Sequence, residues 1–336
     1  MTAPLDVSGQ AMEAQPEAVV QGAGGKAIEG RSLGQIAWTR LKRDKAAIAG
    51  AVVVVLLTLI AIFAERPFGG LIALFGDSPN TPNNDLLDPL TSVPLADWGG
   101  ISLEHPLGVE PVNGRDILAR ILSGAQISLL VAFLATLVSV AIGSLLGVVA
   151  GFFGGWVDML ISRLMDIFLA FPLLLFAIAI VGAVPDQALG LKGNALRIAV
   201  IVFIIGFFNW PYIARIVRGQ TLSLREREFV DAARSLGASR RHIIFREMFP
   251  NLVAPILVYS TLLIPTNILF EAALSFLGVG VAEPQASWGG MLTRAVDYYQ
   301  LAPHFMLVPG LAIFITVMAF NLLGDGLRDA LDPRAR

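Results

Sequence analysis

The chain has 336 residues, 55% of them hydrophobic and only 15% charged, with a formal net charge of −2. Its mean hydropathy is +0.71, and soluble domains usually carry about 25% charged residues. A disordered chain is excluded and a membrane protein is indicated. With no cysteine, disulfides, thiolate metal sites and cysteine catalysis drop out. His105, His242 and His304 are too dispersed to suggest a local metal cluster, so no metal ligands are assigned. The near-neutral charge offers no general attraction for nucleic acid.

Residues 1–45 read as a cytoplasmic tail, partly disordered over its Ala-, Gly- and Gln-rich residues 1–30. Ala46 to Ala64 is free of charge and long enough to cross a hydrocarbon core of about 30 Å. No small-residue cleavage site follows in Glu65-Arg66-Pro67, so this span (46–64) reads as an uncleaved anchor. Residues 65–124 form a long outer segment, acidic and rich in Pro and Asn. A core over 125–324 holds five further spans: Gln126 to Gly151, Val157 to Ala183, Ala195 to Val217, Asn251 to Phe276 and Phe305 to Leu323. Residues 325–336 form a second tail. Lipid leaves exposed strand edges unsatisfied, so the runs must be helices. The fold class is an all-α integral membrane protein with six transmembrane helices and a helical cytoplasmic loop over 223–250. Pro172, Pro211, Pro255, Pro265 and Pro309 interrupt spans three to six and allow kinks.

Lysine and arginine set the orientation. With both termini inside, the inner side collects Lys26, Arg31, Arg40, Lys42, Arg43 and Lys45, then Arg163, the loop arginines from Arg215 to Arg246, and Arg328, Arg334 and Arg336. Only Arg66, Arg115, Arg120, Lys192, Arg197 and Arg294 fall outside.

The 223–250 loop is the most informative stretch. Ser223-Leu224-Arg225-Glu226 fits a capping box at a helix start. Phe229, Ala232, Ala233 and Leu236 follow at helical spacing as one apolar face. Gly237 is placed for a left-handed cap. Ser239 can cap a second short helix, which Pro250 helps to stop. Such a helix can lie on the inner leaflet or dock into a groove on a cytoplasmic partner, and periodicity alone leaves both open. Four acids, Glu226, Glu228, Asp231 and Glu247, mixed among the arginines weaken simple lipid adhesion.

Inside the spans, Arg163 and Asp166 stand three apart and can form a structural ion pair. Glu271 lies near the outer end of span five, either as a polar cap facing solvent or as a group touching a substrate's amino group. Asn209, Asn267 and Asn321 read as interhelical hydrogen-bonding groups.

Asp231-Ala232-Ala233, three residues, Gly237, nine residues, then Glu247-Met248-Phe249-Pro250 resembles the EAA loop of ABC importer permeases, with Asp231, Glu247 and Phe249 replacing the family's Glu, Ile and Leu. Further stretches resemble the C-type permease of dipeptide, oligopeptide and nickel importers. They are His105-Pro106-Leu107-Gly108 with Gly114-Arg115-Asp116, Gly151-Phe152-Phe153-Gly154-Gly155-Trp156-Val157-Asp158, Glu271-Ala272-Ala273-Leu274-Ser275-Phe276-Leu277-Gly278, and Asn321-Leu322-Leu323-Gly324-Asp325-Gly326. The resemblance covers roughly residue 31 to the end. It implies a subunit that pairs with a homologous permease, docks two ATP-binding cassette subunits through the Asp231–Gly237 helix, and receives peptides, or nickel or another small solute, from an extracytoplasmic solute-binding protein. ATP and Mg would then sit on the partner subunits, for this chain carries no phosphate-binding Gly-x4-Gly-Lys-Ser/Thr loop. A membrane enzyme lacks a protected acid–base dyad here. A secondary transporter needs no cytoplasmic docking helix and usually places more ionisable groups at mid-membrane.

Overall fold

The computed structural model describes residues 38–64, 70–74, 78–185, 187–188 and 190–331. The disorder expected for residues 1–30 lies outside them, as do residues 332–336 of the second tail.

Helix α1 (Lys45–Phe63) starts at Asp44, whose carboxylate accepts from the Ala46 and Ala47 amides. The outer segment follows with a single turn Leu71–Leu74 and two 3-10 turns, Asn84–Leu86 and Asp97–Gly99. Then come α2 (Ile117–Phe153), α3 (Gly155–Ala170), α4 (Leu173–Ala183), a two-residue hairpin of β1 (Gln187–Ala188) and β2 (Leu191–Lys192), and α5 (Gly193–Arg225). The chain continues through α6 (Glu228–Ser235), α7 (Arg240–Phe276), α8 (Trp288–Tyr298) and α9 (Pro303–Leu331). Among the described residues, α1, α2, α5, α7 and α9 are long and apolar enough to cross a membrane. The bent pair α3–α4 makes a sixth span if counted as one.

The interruption expected at Pro172 is present as a sharp break, and two other features depart from the sequence reading. Helices α3 and α4 meet at 82°. Phe171 before Pro172 is extended, at ψ 131°, because the proline ring disfavours α geometry in the preceding residue. Helix α2 begins at Ile117, inside the expected outer segment, because Asp116 accepts from the Ala119 amide at 2.7 Å and fixes the start. Pro250 does not stop a helix. The backbone widens into a π turn over Ile243–Met248 and runs on through the proline to Phe276. A proline offers no N–H to the preceding turn, and a π turn absorbs such a lost bond.

The core is a glycine seam between α2 and α5. Gly143, Gly147 and Gly151 recur every fourth residue. A methyl on each would lie 2.7 Å from the Trp210 carbonyl, the Ala214 carbonyl and Thr221 Cβ, respectively. With little hydrophobic driving force between helices in lipid, such close backbone approach supplies the packing. Polar bonds pin the register. Ser139 Oγ donates to the Gly206 carbonyl at 2.9 Å. Asn209 Nδ2 donates to Asn267 Oδ1, and Asn267 Nδ2 to Thr136 Oγ1, both at 2.8 Å, joining α5, α7 and α2. Asn321 is exposed on α9. Helix α1 is laid against α9, where a methyl on Gly50 would come 2.7 Å from the Ala319 carbonyl.

Candidate docking surface and polar clusters

Helix α6 is held to the bundle chiefly by Val230. Val230 is fully buried with Phe152, Ile243 and Met248, and Ala233 and Ala238 pack against that group. At its far end Gly237 takes φ +80°. The Ala238 amide bonds the Ala233 carbonyl at 3.0 Å and the Gly237 amide bonds Arg234 at 2.9 Å, a left-handed helix ending that favours glycine. Ser239 Oγ then accepts from the His242 amide at 3.3 Å and starts α7.

The apolar face read from the spacing points away from the bundle. Leu236 is 88% exposed and Phe229 38%; Ala232 is also exposed, and of the four only Ala233 turns inward. Two apolar stripes compete on this short helix, and the Val230–Ala233 stripe meets the bundle. Asp231 pairs with Arg234 at 3.1 Å on the exposed side. The capping box at Ser223 does not form. Helix α5 continues through Ser223 to Arg225, and α6 starts at Arg227 with no side-chain cap. Thr221 is fully buried and Leu224 packs into the interior, so packing overrides the local capping preference. Glu226 instead pairs with Arg225 at 3.1 Å.

The Arg163–Asp166 pair is likewise replaced. Asp166 binds Arg215 of α5 at 3.1 Å, and Asp158 engages Arg218. Both acids bridge α3 to α5 rather than pairing along α3, since the neighbouring helix supplies guanidinium groups within reach.

Glu271 is neither a solvent-facing cap nor open to a passing solute. It is fully buried, accepts from Ser275 Oγ at 2.7 Å, and has the Ser128 and Ser287 hydroxyls beside it. Helix α8, a short amphipathic element, shuts it in. The Trp288 amide reaches Ser128 Oγ at 3.3 Å, the Trp288 indole donates to the Ile121 carbonyl at 3.1 Å, and Thr293 donates to the Phe276 carbonyl at 3.0 Å.

A second cluster was not legible from spacing. Glu110, Arg115 and Arg120 are all buried. Glu110 pairs with Arg115 and, at 3.2 Å, with Arg120. Glu283 bridges Arg115 at 3.1 Å, Arg294 at 3.0 Å and Arg120 at 3.8 Å. Partial burial pushes the Glu283 carboxyl up, but the hydrogen bond from Arg115 and the charges of Arg115, Arg294 and Arg120 outweigh it and hold it below its ordinary value. Nearby, His105 Nδ1 meets Asp116 Oδ2 at 2.8 Å and His304 Nε2 meets the Val109 carbonyl at 3.2 Å. Among the described residues no group of three or more His, Asp or Glu side chains could hold a metal ion.

Residues 143–336 match the family described as binding-protein-dependent transport system inner membrane component, and residues 32–89 match the N-terminal transmembrane domain of oligopeptide transport permease C. The chain is 42% identical over 300 residues to a dipeptide transport system permease protein of Alkalihalophilus pseudofirmus, covering 89% of this chain and 90% of that protein. It is 43% identical over 299 residues to a glutathione transport system permease protein of Escherichia coli O6:K15:H31, again covering 89% and 90%. A solved structure of the MetNI methionine ABC transporter in inward-facing conformations aligns with a TM-score of 0.51 at 18% identity, over 64% of this chain and 98% of that one. At that identity the likeness is one of fold.

Proposed function

Since this chain belongs to the inner-membrane components of binding-protein-dependent transport systems, as a C-type permease subunit of the peptide family of ABC importers, we propose that it forms half of a path for dipeptides or oligopeptides. The peptide assignment is supported by relatives whose names specify dipeptide and glutathione transport. Its partners in this reading are a second homologous permease, two ATP-binding cassette subunits that carry ATP, Mg and the hydrolysis, and an extracytoplasmic solute-binding protein. Both termini lie in the cytoplasm, a reading that rests on the lysine and arginine distribution.

The observation that carries the ATPase contact is the outward apolar face of α6. Leu236 is almost bare and Phe229 partly exposed within the described chain, while Val230 and Gly237 fix the helix from behind. A short helix with exposed apolar anchors and an acid, Asp231, is suited to a groove on a partner. Closure of the ATPase pair on ATP binding would carry α6 with it. Because α6 is joined to α5 and α7, and the α2–α5 seam is packed too tightly to deform continuously, the displacement tilts the bundle and switches its open side. Hydrolysis resets it.

Leu236→Asp and Asp231→Lys in the assembled importer test the reading. Loss of ATPase co-purification and of peptide uptake, with this chain still inserted at normal levels, is expected. Uptake and co-purification at the wild-type level in both variants would overturn the docking role.

A further inference from the structure

Helix α1 carries a groove that the transport cycle leaves unused. Residues 38–41 make one helical turn, with the Lys42 amide bonding the Trp38 carbonyl at 3.1 Å and the Asp44 amide bonding Leu41 at 3.2 Å, before the chain bends into α1. Between this turn and α1 lies a groove of about 410 Å³ walled by Trp38, Leu41, Ile48, Val52 and Val55. From Ile48 to Leu56 it runs for about 12 Å at ~1.5 Å per residue. The Lys42 ammonium closes one end, 4.9 Å from the Trp38 ring. The groove faces away from the bundle: Val52 and Val55 are exposed, whereas Val54 and Leu57 pack into the core.

We propose that this groove is a binding site for an anionic phospholipid, one acyl chain lying along α1 and the headgroup held at the turn. The apolar walls offer nothing to a polar ligand. Lys42 lines the groove, and Arg43 and Lys45 flank it in sequence against one acid, Asp44, whose Oδ1 is already engaged by the Ala46 and Ala47 amides. Basic side chains beside the end of a membrane helix attract anionic headgroups, and a tryptophan at the same depth sits where the apolar and wet layers meet. The charge selects the headgroup, and the narrow groove takes a chain. The inference requires only that α1 crosses the bilayer and is independent of what the importer carries.

The test uses the intact importer purified from membranes and placed in nanodiscs of phosphatidylcholine with or without phosphatidylglycerol. Native mass spectrometry then counts retained lipid. Phosphatidylglycerol should be retained by the wild type, fall at least fivefold in Ala51→Trp, which fills the groove, and lose its preference over phosphatidylcholine in Lys42→Gln with Arg43→Gln. Equal retention in Ala51→Trp would overturn the site. A single cysteine at Val55, in a chain that has none of its own, supplies a second arm. Labelling by a lipid-soluble maleimide is expected. Quantitative cross-linking instead to the second permease, or to residues 1–37 of this chain, would show the groove covered by protein and overturn the lipid assignment.

Discussion

A polar and an apolar region of the permease are fastened by opposite means. Around Glu110, buried ions hold the chain to itself: Glu110 engages Arg115 and Arg120, and Glu283 ties both to Arg294 on α8. Helix α6 is held chiefly by apolar Val230, with Ala233 beside it, and points Leu236 away. An ion cluster in which two carboxylates are shared among three arginines closes on itself, and once a carboxylate is lost the arginines are stranded. An apolar peg holds an element with modest energy and leaves its other face free. The contrast separates a region closed on itself from one that leaves an apolar end exposed.

The contrast breaks most visibly at Glu110. Glu110→Gln leaves Arg115 and Arg120 buried beside a neutral group, and removing one member of a buried pair costs about 3–5 kcal/mol. A clear drop in the melting temperature of the detergent-purified complex is expected, with peptide uptake falling only as far as folded protein is lost. A melting temperature within a degree of wild type would mean that the cluster does not hold this region together.

Two substitutions on α6 sharpen the other half. Val230→Ala removes buried volume and should cost about 1–3 kcal/mol, largely in local order of α6, read as faster amide hydrogen exchange from Glu228 to Ser235. Phe229→Ser, on the exposed side, should leave exchange unchanged and stability within about 0.5 kcal/mol, yet reduce peptide-stimulated ATPase activity. The reverse pattern, with Phe229→Ser loosening α6, would reassign that face to the fold.

Much of this plan was legible in the sequence, for reasons that differ residue by residue. Long apolar runs with few charges marked the spans because lipid tolerates little else. Gly237 was readable because a left-handed helix ending favours glycine. The cluster at Glu110 was not, since it joins residues as distant as Arg115 and Glu283, and such pairing leaves no periodic trace. The inward anchor of α6, Val230, also escaped. Two apolar stripes on an eight-residue helix look alike until the bundle selects one. Asp166 illustrates the same limit, for a partner three residues away is visible in sequence, whereas Arg215 on the next helix is not.

Glu283 gives the clasp a pH signature. Its carboxyl is held below its ordinary value of 4.5. A depressed acid contributes stability that is fully present above the ordinary value and is lost as pH falls through the depressed one. Thermal stability attributable to Glu283 should therefore be flat from neutral pH down to about 5 and decline below 4.5. Glu283→Gln should remove that decline. Superimposable acid profiles for the two proteins would mean that the three arginines do not act on this carboxyl.

The smallest effect separates packing from local preference where the loop begins. Ser223 satisfies the sequence rule for a cap but lies inside α5, exposed and without a capping bond. Ser239 satisfies it and does cap, accepting from the His242 amide. Losing a working serine cap costs about 1 kcal/mol, and losing an exposed serine within a helix should change stability by less than about 0.5 kcal/mol. Ser239→Ala should therefore lower the melting temperature measurably and speed exchange at Arg240 to His242, while Ser223→Ala does neither. If the two exchange roles, α5 ends before Ser223 in the membrane. The rigid connection from α6 into the α2–α5 seam would then be lost, and with it the lever that the proposed transport cycle requires.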